Sequence, residues 1–543
     1  MPTGWAQLYF TPERAPRVPR LGWMLPRDWN LNCLLHLLMA EWAQLTRGSG
    51  SMKWTQRIFD ALDKPRPFHA QQFLLTLALI MALGAIASDR YHFFFQNYSP
   101  FVKQQVLPAI GREHLAGKVL KRMIPPEQIG TARLDAWPWA SPLFRNQHHL
   151  YGESLIPITS DYLGVWHYTK MVLEGQNPYS IDYFFTYNFQ AYDWPMIHNS
   201  KVPAQIVGPL SYPPFAVMAL VPFFSNNYFL SIMKYFLFIG FVIITAGIII
   251  IYNTPVARGQ LAVFLTTLLV TSYPAALLLD RGNIEGIVFV FIAAAILTYQ
   301  RRYFYISALL IAAAACCKIY PAIYFILFAV DGKWKELSAG FLATVAITIA
   351  SLATINGDAN IVLGQFIHHI SGFNEFFLYD GRSIQFGHTL CNLISGLFFL
   401  ETSDPKIQSS LRLFCLVYPY LVAAFTLGAI WRIRALKLKQ RISVLTVMMV
   451  YLPFTSFDYT LIYLYIPLLL LLLDVINNAS NRILDLLPLW IICMISLPKQ
   501  YLVGLFNFGP GISFMVNGVG LGLLLMIFLL AKPTSESPEV AFY

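Results

Sequence analysis

Charge is what this sequence has least of. Of 543 residues only 12% are Asp, Glu, Lys or Arg, 57% are apolar, and the mean hydropathy is +0.54. Soluble domains carry roughly 25% charged residues, so a soluble globular protein is excluded. The deficit is uneven: Tyr235–Ala257, Gly259–Leu279, Leu337–Gly357 and Tyr501–Ala531 hold no charged residue at all. A helix needs about 20 such residues to cross a ~30 Å hydrocarbon core. A membrane β-barrel would instead show alternating segments of ~10 residues, which these continuous runs are not. The chain therefore reads as an all-α polytopic membrane protein, and the disordered, collagen-like, small secreted and nucleic-acid-binding classes are excluded. Cysteine is scarce as well. The six, Cys33, Cys316, Cys317, Cys391, Cys415 and Cys493, fall mostly inside apolar runs without metal-ligand spacing, as small core side chains and not a disulfide framework. There is no P-loop, no dinucleotide glycine fingerprint and no cytoplasmic domain to hold either.

What charge there is sets the topology. The first apolar run, Phe73 to Ser88, follows a segment rich in Arg and Lys, from Arg14 to Arg66, which places the N-terminus in the cytoplasm. No cleavable signal pattern precedes it. Residues 1–51 are Pro- and Arg-rich and are expected to be dispensable, or an upstream extension of a chain starting at Met52. From Asp89 to about Tyr212 runs the longest hydrophilic stretch, with 19 of the chain's charged residues (38 basic and 28 acidic in all). Further crossings are expected at 228–252, 260–278, 284–299, 303–316, 319–330, 337–355, 411–431, 443–456, 459–473, 484–497 and 512–531, about twelve in all. This count puts Arg258, Arg301, Arg302, Lys333, Lys335, the cluster Arg432 to Arg441, Arg482 and Lys532 inside. Pro214–Phe224 and Phe386–Leu400 are read as interfacial or re-entrant helices on the outer side. The resulting organisation is a cytoplasmic segment 1–72, a transmembrane domain 73–531 with outer loops 89–227 and 356–410, and a cytoplasmic tail 532–543.

In this orientation the polar motifs gather on the outer face, where convergent polar groups beside an apolar cavity mark a candidate site. Asp161, in the aromatic-rich stretch Ile158 to Trp166, is a candidate general base or, after Thr159 and Ser160, a helix cap. Leu173-Glu-Gly-Gln-Asn-Pro-Tyr179 reads as a helix ending at Gly175 and turning at Asn-Pro. Ser211-Tyr-Pro-Pro-Phe215 opens a short helix with Pro in its first turn. Asp280-Arg-Gly-Asn283 is either a phosphate- or sugar-binding turn through Arg281 and Asn283 or an ion pair bracing the turn. Lys318 is a lone cation between two apolar runs, snorkelling to the interface or binding an anion. His368, His369, Arg382 and His388 add titratable groups; the His-His pair hints at a metal, without a third ligand at a recognisable spacing. An outward-facing enzyme without nucleotide access needs an activated substrate delivered within the membrane, and a lipid-phosphate carrier meets that need.

The order of these motifs resembles glycosyltransferase family 87. An N-terminal span is followed by Ser160-Asp-Tyr162, Glu174-Gly-Gln-Asn-Pro-Tyr179, Ser211-Tyr-Pro-Pro-Phe215, Asp280-Arg-Gly-Asn283, Lys318-Ile-Tyr-Pro321, Gly332-Lys-Trp-Lys335 and Pro453-Phe-Thr-Ser-Phe-Asp-Tyr459. The resemblance covers about residues 70 to 530. It implies a GT-C-like bundle of about 12 transmembrane helices, with a large first outer loop containing juxtamembrane helices, that uses polyprenyl-phosphate sugars, often mannose. Asp161 takes the catalytic-aspartate role, with Tyr162 where the family has Phe. Gly387-His-Thr-Leu390 stands for the family's Asn-x-Ser-Leu, making His388 a departure and a candidate second base. Asp458 stands where His is common.

The implied activity is inverting transfer of a single sugar, mannose first, from a polyprenyl-phosphate carrier to a lipid or glycan acceptor at the outer face. Asp161 is the expected base, and Arg281, Asn283, Lys318 and Arg382 are expected to bind the donor's phosphate or sugar. Tyr162, Tyr179, Tyr212, Asp280, Tyr320, His368, Asp458 and Tyr459 are expected to line the site. No cofactor is identified and a divalent cation is left open. The protein is expected to be a monomer in the inner membrane of a bacterial cell. The rival classes are a twelve-span transporter or flippase, which would show repeats and mid-membrane charges, and an outer-face glycan ligase or polymerase.

Overall fold

The structure is a computed structural model, and it describes residues 71–83, 160–180, 212–254, 258–374, 387–398, 405–478, 483–497 and 512–531. The expected N-terminal segment up to residue 70, most of the loop 89–227, the stretch around Arg382 and the tail 532–543 lie outside these residues. Among the described residues there is no strand, only one antiparallel bridge between Gly387 and Phe457.

Helices form where the charge-free windows predict them. In chain order they are α1 (Gln71–Leu83), α2 (Ser160–Leu173), α3 (Pro214–Met218), α4 (Tyr228–Asn253), α5 (Arg258–Thr271), α6 (Tyr273–Arg281), α7 (Glu285–Gln300) and α8 (Phe304–Cys317). There follow α9 (Phe325–Val330), α10 (Trp334–Ala353), α11 (Ala359–Asn374), α12 (Leu390–Phe398), α13 (Pro405–Arg434), α14 (Leu438–Tyr451), α15 (Tyr465–Asn478), α16 (Ile483–Ser496) and α17 (Ile512–Leu530). Short 3-10 turns, Tyr320–Tyr324 and Asp458–Leu464, lead into α9 and α15.

Helix α4 shows the physics of these elements. Asn227 caps it by accepting the Leu230 N–H at 3.0 Å. Ile232, Tyr235 and Ile239 are buried on one side, while Leu237, Phe241, Ile244 and Ile248 are 61–70% exposed on the other. An apolar stripe at helical spacing left that exposed is a lipid-facing surface. The same outward stripe recurs at Leu342, Val345 and Ile349 of α10 and at Leu413, Leu416, Tyr420, Leu427 and Trp431 of α13. Helix α1 is two-sided as well, with Leu75, Leu79 and Leu83 exposed. Phe73, Leu74, Leu77, Ala78 and Met81 are buried, and Phe73 meets Trp490 of α16 edge-on at 6.1 Å.

Among the described residues four helices are long and apolar enough to cross a bilayer: Leu230–Tyr252, Trp334–Ala353, Ser409–Arg434 and Asp458–Ile476. A fifth candidate is the bent pair α5 and α6, which meet at 52°. The bend has a local cause. Pro274 sits in the first turn of α6, where its missing N–H and its clash with the preceding backbone stop the ladder from running through. The other helices are shorter: α7 has 16 residues and α8 has 14, about 24 and 21 Å at 1.5 Å per residue. Helix α12 has nine residues, about 14 Å, which is short of a crossing. The structure thus supports an all-α membrane protein, with four or five length-qualified spans among the described residues where twelve crossings were expected. It also places a helix, α11, in a region the charge pattern marks only as an outer loop.

Candidate active site

The site is assembled at the broken ends of helices. Helix α6 stops at Arg281 because Gly282 takes a left-handed conformation, φ +59°, which glycine adopts without steric cost. The turn delivers Asn283, fully buried, at the head of α7. Its Nδ2 donates to Asp161 Oδ2 at 2.8 Å and to the Tyr212 hydroxyl at 3.1 Å. Its Oδ1 accepts the Glu285 N–H at 3.0 Å. That backbone donor fixes which way the amide points, because the flipped amide would set donor against donor and oxygen against carboxylate. The Tyr235 hydroxyl donates to the Asn283 carbonyl. A Cβ on Gly286 would lie 2.6 Å from that hydroxyl, so the close approach of α4 and α7 requires glycine there.

Asp161 lies in the first turn of α2 and is partly exposed. The first turn is where a carboxylate suits the helix dipole, and the same carboxylate accepts a hydrogen bond from Asn283. Helix α2 is anchored by Tyr162, whose buried hydroxyl bonds Ser231 at 2.9 Å and whose ring lies 5.3 Å from that of Tyr235. The Trp166 indole N–H donates to the Ser225 carbonyl at 2.8 Å.

Tyr212 is held from behind, its carbonyl accepting the Tyr179 hydroxyl at 2.8 Å. Burial, and then the nearby carboxylates of Asp161 and Glu285, push its hydroxyl well above the usual tyrosine range, so it stays a neutral donor. Over its ring, 4.2 Å from the centroid, sits the ammonium of Lys318. Lys318 follows the end of α8 in extended backbone, with its Nζ 3.7 Å from Glu285 Oε1. Glu285 is 1% exposed, and it also accepts the hydroxyls of Tyr320 and, at 2.5 Å, Tyr463. Lys318 is therefore neither a simple snorkelling cation nor a lone one, and its side chain keeps 19% of its surface open.

A partly exposed carboxylate oriented by an amide, with a cation and a neutral phenol beside it, has the parts of a general base with an electrostatic clamp. A family model, glycosyltransferase family 87, matches residues 210–494, just over half of the chain. The chain belongs to glycosyltransferase family 87. No curated protein and no solved structure matches it. Membership makes it a glycosyltransferase and not a transporter or flippase. Within this family 87 glycosyltransferase the matched segment holds Tyr212, Asn283, Glu285, Lys318, Tyr320 and Tyr463, whereas Asp161 precedes it.

A second polar cluster joins His388 and Asp458, which the bridge between Gly387 and Phe457 brings together. His388 Nδ1 stands 3.1 Å from Asp458 Oδ1, its Nε2 is 3.3 Å from Thr460 Oγ1, and Asn517 Nδ2 donates to Asp458 at 3.2 Å. All four side chains are 0–2% exposed. The 3-10 helix Asp458–Leu464 links the clusters, Asp458 serving this one and Tyr463 serving Glu285. Tyr459 is partly buried, its ring 5.8 Å from that of Phe457.

Of the residues expected to form the site, Asp161, Tyr212, Asn283, Lys318 and Tyr320 are brought together. Asn283, expected to meet the donor, here directs its amide nitrogen within the protein, to Asp161 and the Tyr212 hydroxyl. Tyr162 anchors its helix, and Tyr179 braces Tyr212 while packing edge-on against Phe366 and His369 of α11 at 5.5 and 5.9 Å. The turn at Gly175 (φ +73°) docks on the same region, as Asn356 Nδ2 donates to the Gly175 carbonyl and Asn177 Nδ2 to Gln365 Oε1, both at 2.7 Å. His368 lies beside His369, ring centroids 6.5 Å apart, and among the described residues no three His, Cys, Asp or Glu gather in a metal-binding group. The side chains of Asp280 and Arg281, and all of Arg382, lie outside the described residues. Sequence reasoning missed Glu285 and Tyr463. The signal for Glu285 was present, since it is the single charge between Arg281 and Arg301, at the head of an otherwise charge-free span.

Proposed function

We propose that this enzyme moves a single sugar, mannose, from a polyprenyl-phosphate carrier to a hydroxyl of a lipid or glycan acceptor at the non-cytoplasmic face, with inversion at the anomeric carbon. Asp161 takes the acceptor proton as the acceptor oxygen bonds the anomeric carbon and the bond to the phosphate oxygen breaks. The polyprenyl phosphate leaves with that bond's electron pair. Lys318 meets the charge growing on it, with Arg281 and Arg382 in the same expected role. The observation that carries this reading is the Asn283 amide aimed at Asp161, 2.8 Å from its carboxylate, beside Tyr212 and Lys318. An oriented, partly exposed carboxylate next to a cation is what base catalysis on one side and phosphate departure on the other require. The buried His388–Asp458 pair serves as a brace between its two segments in this reading. The enzyme acts as a monomer in the inner membrane.

The test is donor consumption by purified protein supplied with polyprenyl-phosphate mannose, glucose, arabinose or galactosamine and a hydroxyl acceptor. Asp161→Asn, which keeps the shape and loses the charge, is expected to slow transfer by ~10²- to 10⁴-fold while the protein remains folded. Near-full activity of that variant removes Asp161 as base. Transfer of a whole glycan in place of one sugar points to a ligase or polymerase.

A further inference from the structure

Glu285 is the carboxylate that neither the sequence motifs nor the reaction above accounts for. It is buried at 1% exposure and surrounded by donors: the hydroxyls of Tyr320 and Tyr463, and Lys318 Nζ at 3.7 Å. Its own N–H holds the Asn283 Oδ1 at 3.0 Å, so one residue is tied to both halves of the site. An acid this enclosed has no route to the acceptor, whereas its cationic partner is partly open. The long Lys318 side chain has many rotamers to lose, and among the described residues two contacts confine it, the Tyr212 ring and this carboxylate.

We infer that Glu285 is a positioning residue that fixes Lys318 over Tyr212 for the departing phosphate, acting on the donor half of the reaction only through that lysine. This rests on the reading of Lys318 as the phosphate's partner. The two tyrosine hydroxyls hold the carboxylate in place, so that when Lys318 turns toward the new phosphate charge Glu285 keeps two donors and is not left bare.

The test is a double-mutant cycle with Glu285→Gln, Lys318→Met and the two combined, measured with polyprenyl-phosphate sugar in purified enzyme. Lys318→Met is expected to lower kcat/KM for the donor by ~10²-fold and Glu285→Gln by ~10-fold or more, with the acceptor KM changed by less than about twofold. The double variant is expected to match Lys318→Met. A selective loss on the donor side, absent once Lys318 is gone, is something a general structural role for Glu285 does not produce. Additive losses, or a wild-type rate in Glu285→Gln, overturn the proposal. If Glu285→Gln fails to fold, Lys318→Met is compared with the double variant, in which the charge pair is removed whole. Equal donor kcat/KM in those two supports the proposal, and a further loss in the double variant overturns it. Equilibrium binding of polyprenyl phosphate repeats the cycle without turnover. A wild-type protein that neither turns over such donors nor binds polyprenyl phosphate overturns this proposal together with the reading beneath it, while additive losses in an active enzyme overturn this one alone.

Discussion

Replacing Asn283 by Asp tests the site at its tightest point. The amide nitrogen that donates to Asp161 Oδ2 at 2.8 Å becomes an oxygen, and a buried carboxylate then faces the partly exposed one of Asp161. At an effective dielectric of about 20, two unit charges at that distance repel by about 6 kcal/mol, equivalent to about four pH units at 1.36 kcal/mol each. Side-chain relaxation lessens this, and a shift of about two pH units remains the expectation. The pair then keeps a shared proton to about two pH units above the ordinary carboxylate range, so in mildly acidic solution the catalytic carboxylate is less available as a base. Sugar transfer is expected to fall by ~10-fold at pH 5 relative to the wild type, and to recover as the pH rises and the shared proton leaves. Asn283→Ala removes the donor without adding charge. It costs the ~1.5–3 kcal/mol of a hydrogen bond to a charged group, with no alkaline recovery. The assay is transfer from labelled polyprenyl-phosphate mannose in detergent between pH 5 and 10, with the melting temperature of each variant as the folding control. An Asn283→Asp enzyme with wild-type rate and an unshifted pH profile refutes the argument that Asn283 orients the base.

Two further outcomes follow from the buried polar groups. Burial, and then the charge of Lys170, hold His167 at about 3 against its ordinary 6.5. The unfolded chain takes up a proton below 6.5 that the folded chain refuses until about 3, so stability is lost as pH falls through this window, by up to about 1.4 kcal/mol per unit. His167→Gln is expected to flatten the decline of melting temperature between pH 6.5 and 4.5, and an unchanged decline counts against it. Asp458→Ala strips His388 and Asn517 of a shared acceptor, and removing one member of a buried pair costs about 3–5 kcal/mol. Its melting temperature is expected to drop well below that of Tyr459→Phe, and equal values refute a bracing role for the pair.

The positions of the helices were legible in the sequence because lipid imposes a local rule: a run without charge is helical wherever it meets the bilayer. The windows at 228–252, 284–299 and 303–316 match Tyr228–Asn253, Glu285–Gln300 and Phe304–Cys317 within a residue or two. Turn chemistry was legible in the same local way at Gly175 and Gly282, where one residue's backbone preference decides the outcome, whereas 260–278 was expected as one crossing and is bent at Pro274. The order of short motifs also pointed to glycosyltransferase family 87, which the family match over residues 210–494 shows.

Partners across the chain were not legible, because charge and hydrophobicity patterns carry no record of which helix ends meet. Asp161 and Asn283 stand 122 residues apart, and Glu285 and Tyr463 stand 178 apart. Lys318 was visible as a cation worth naming, yet only packing shows that it is paired with Glu285 and lies over Tyr212. The scarcity of charge by itself determined a helical membrane protein and a short roster of polar residues. Tertiary structure decided which of them share a site, because a buried charge persists only where the fold supplies its donors, and those come from helices distant in sequence.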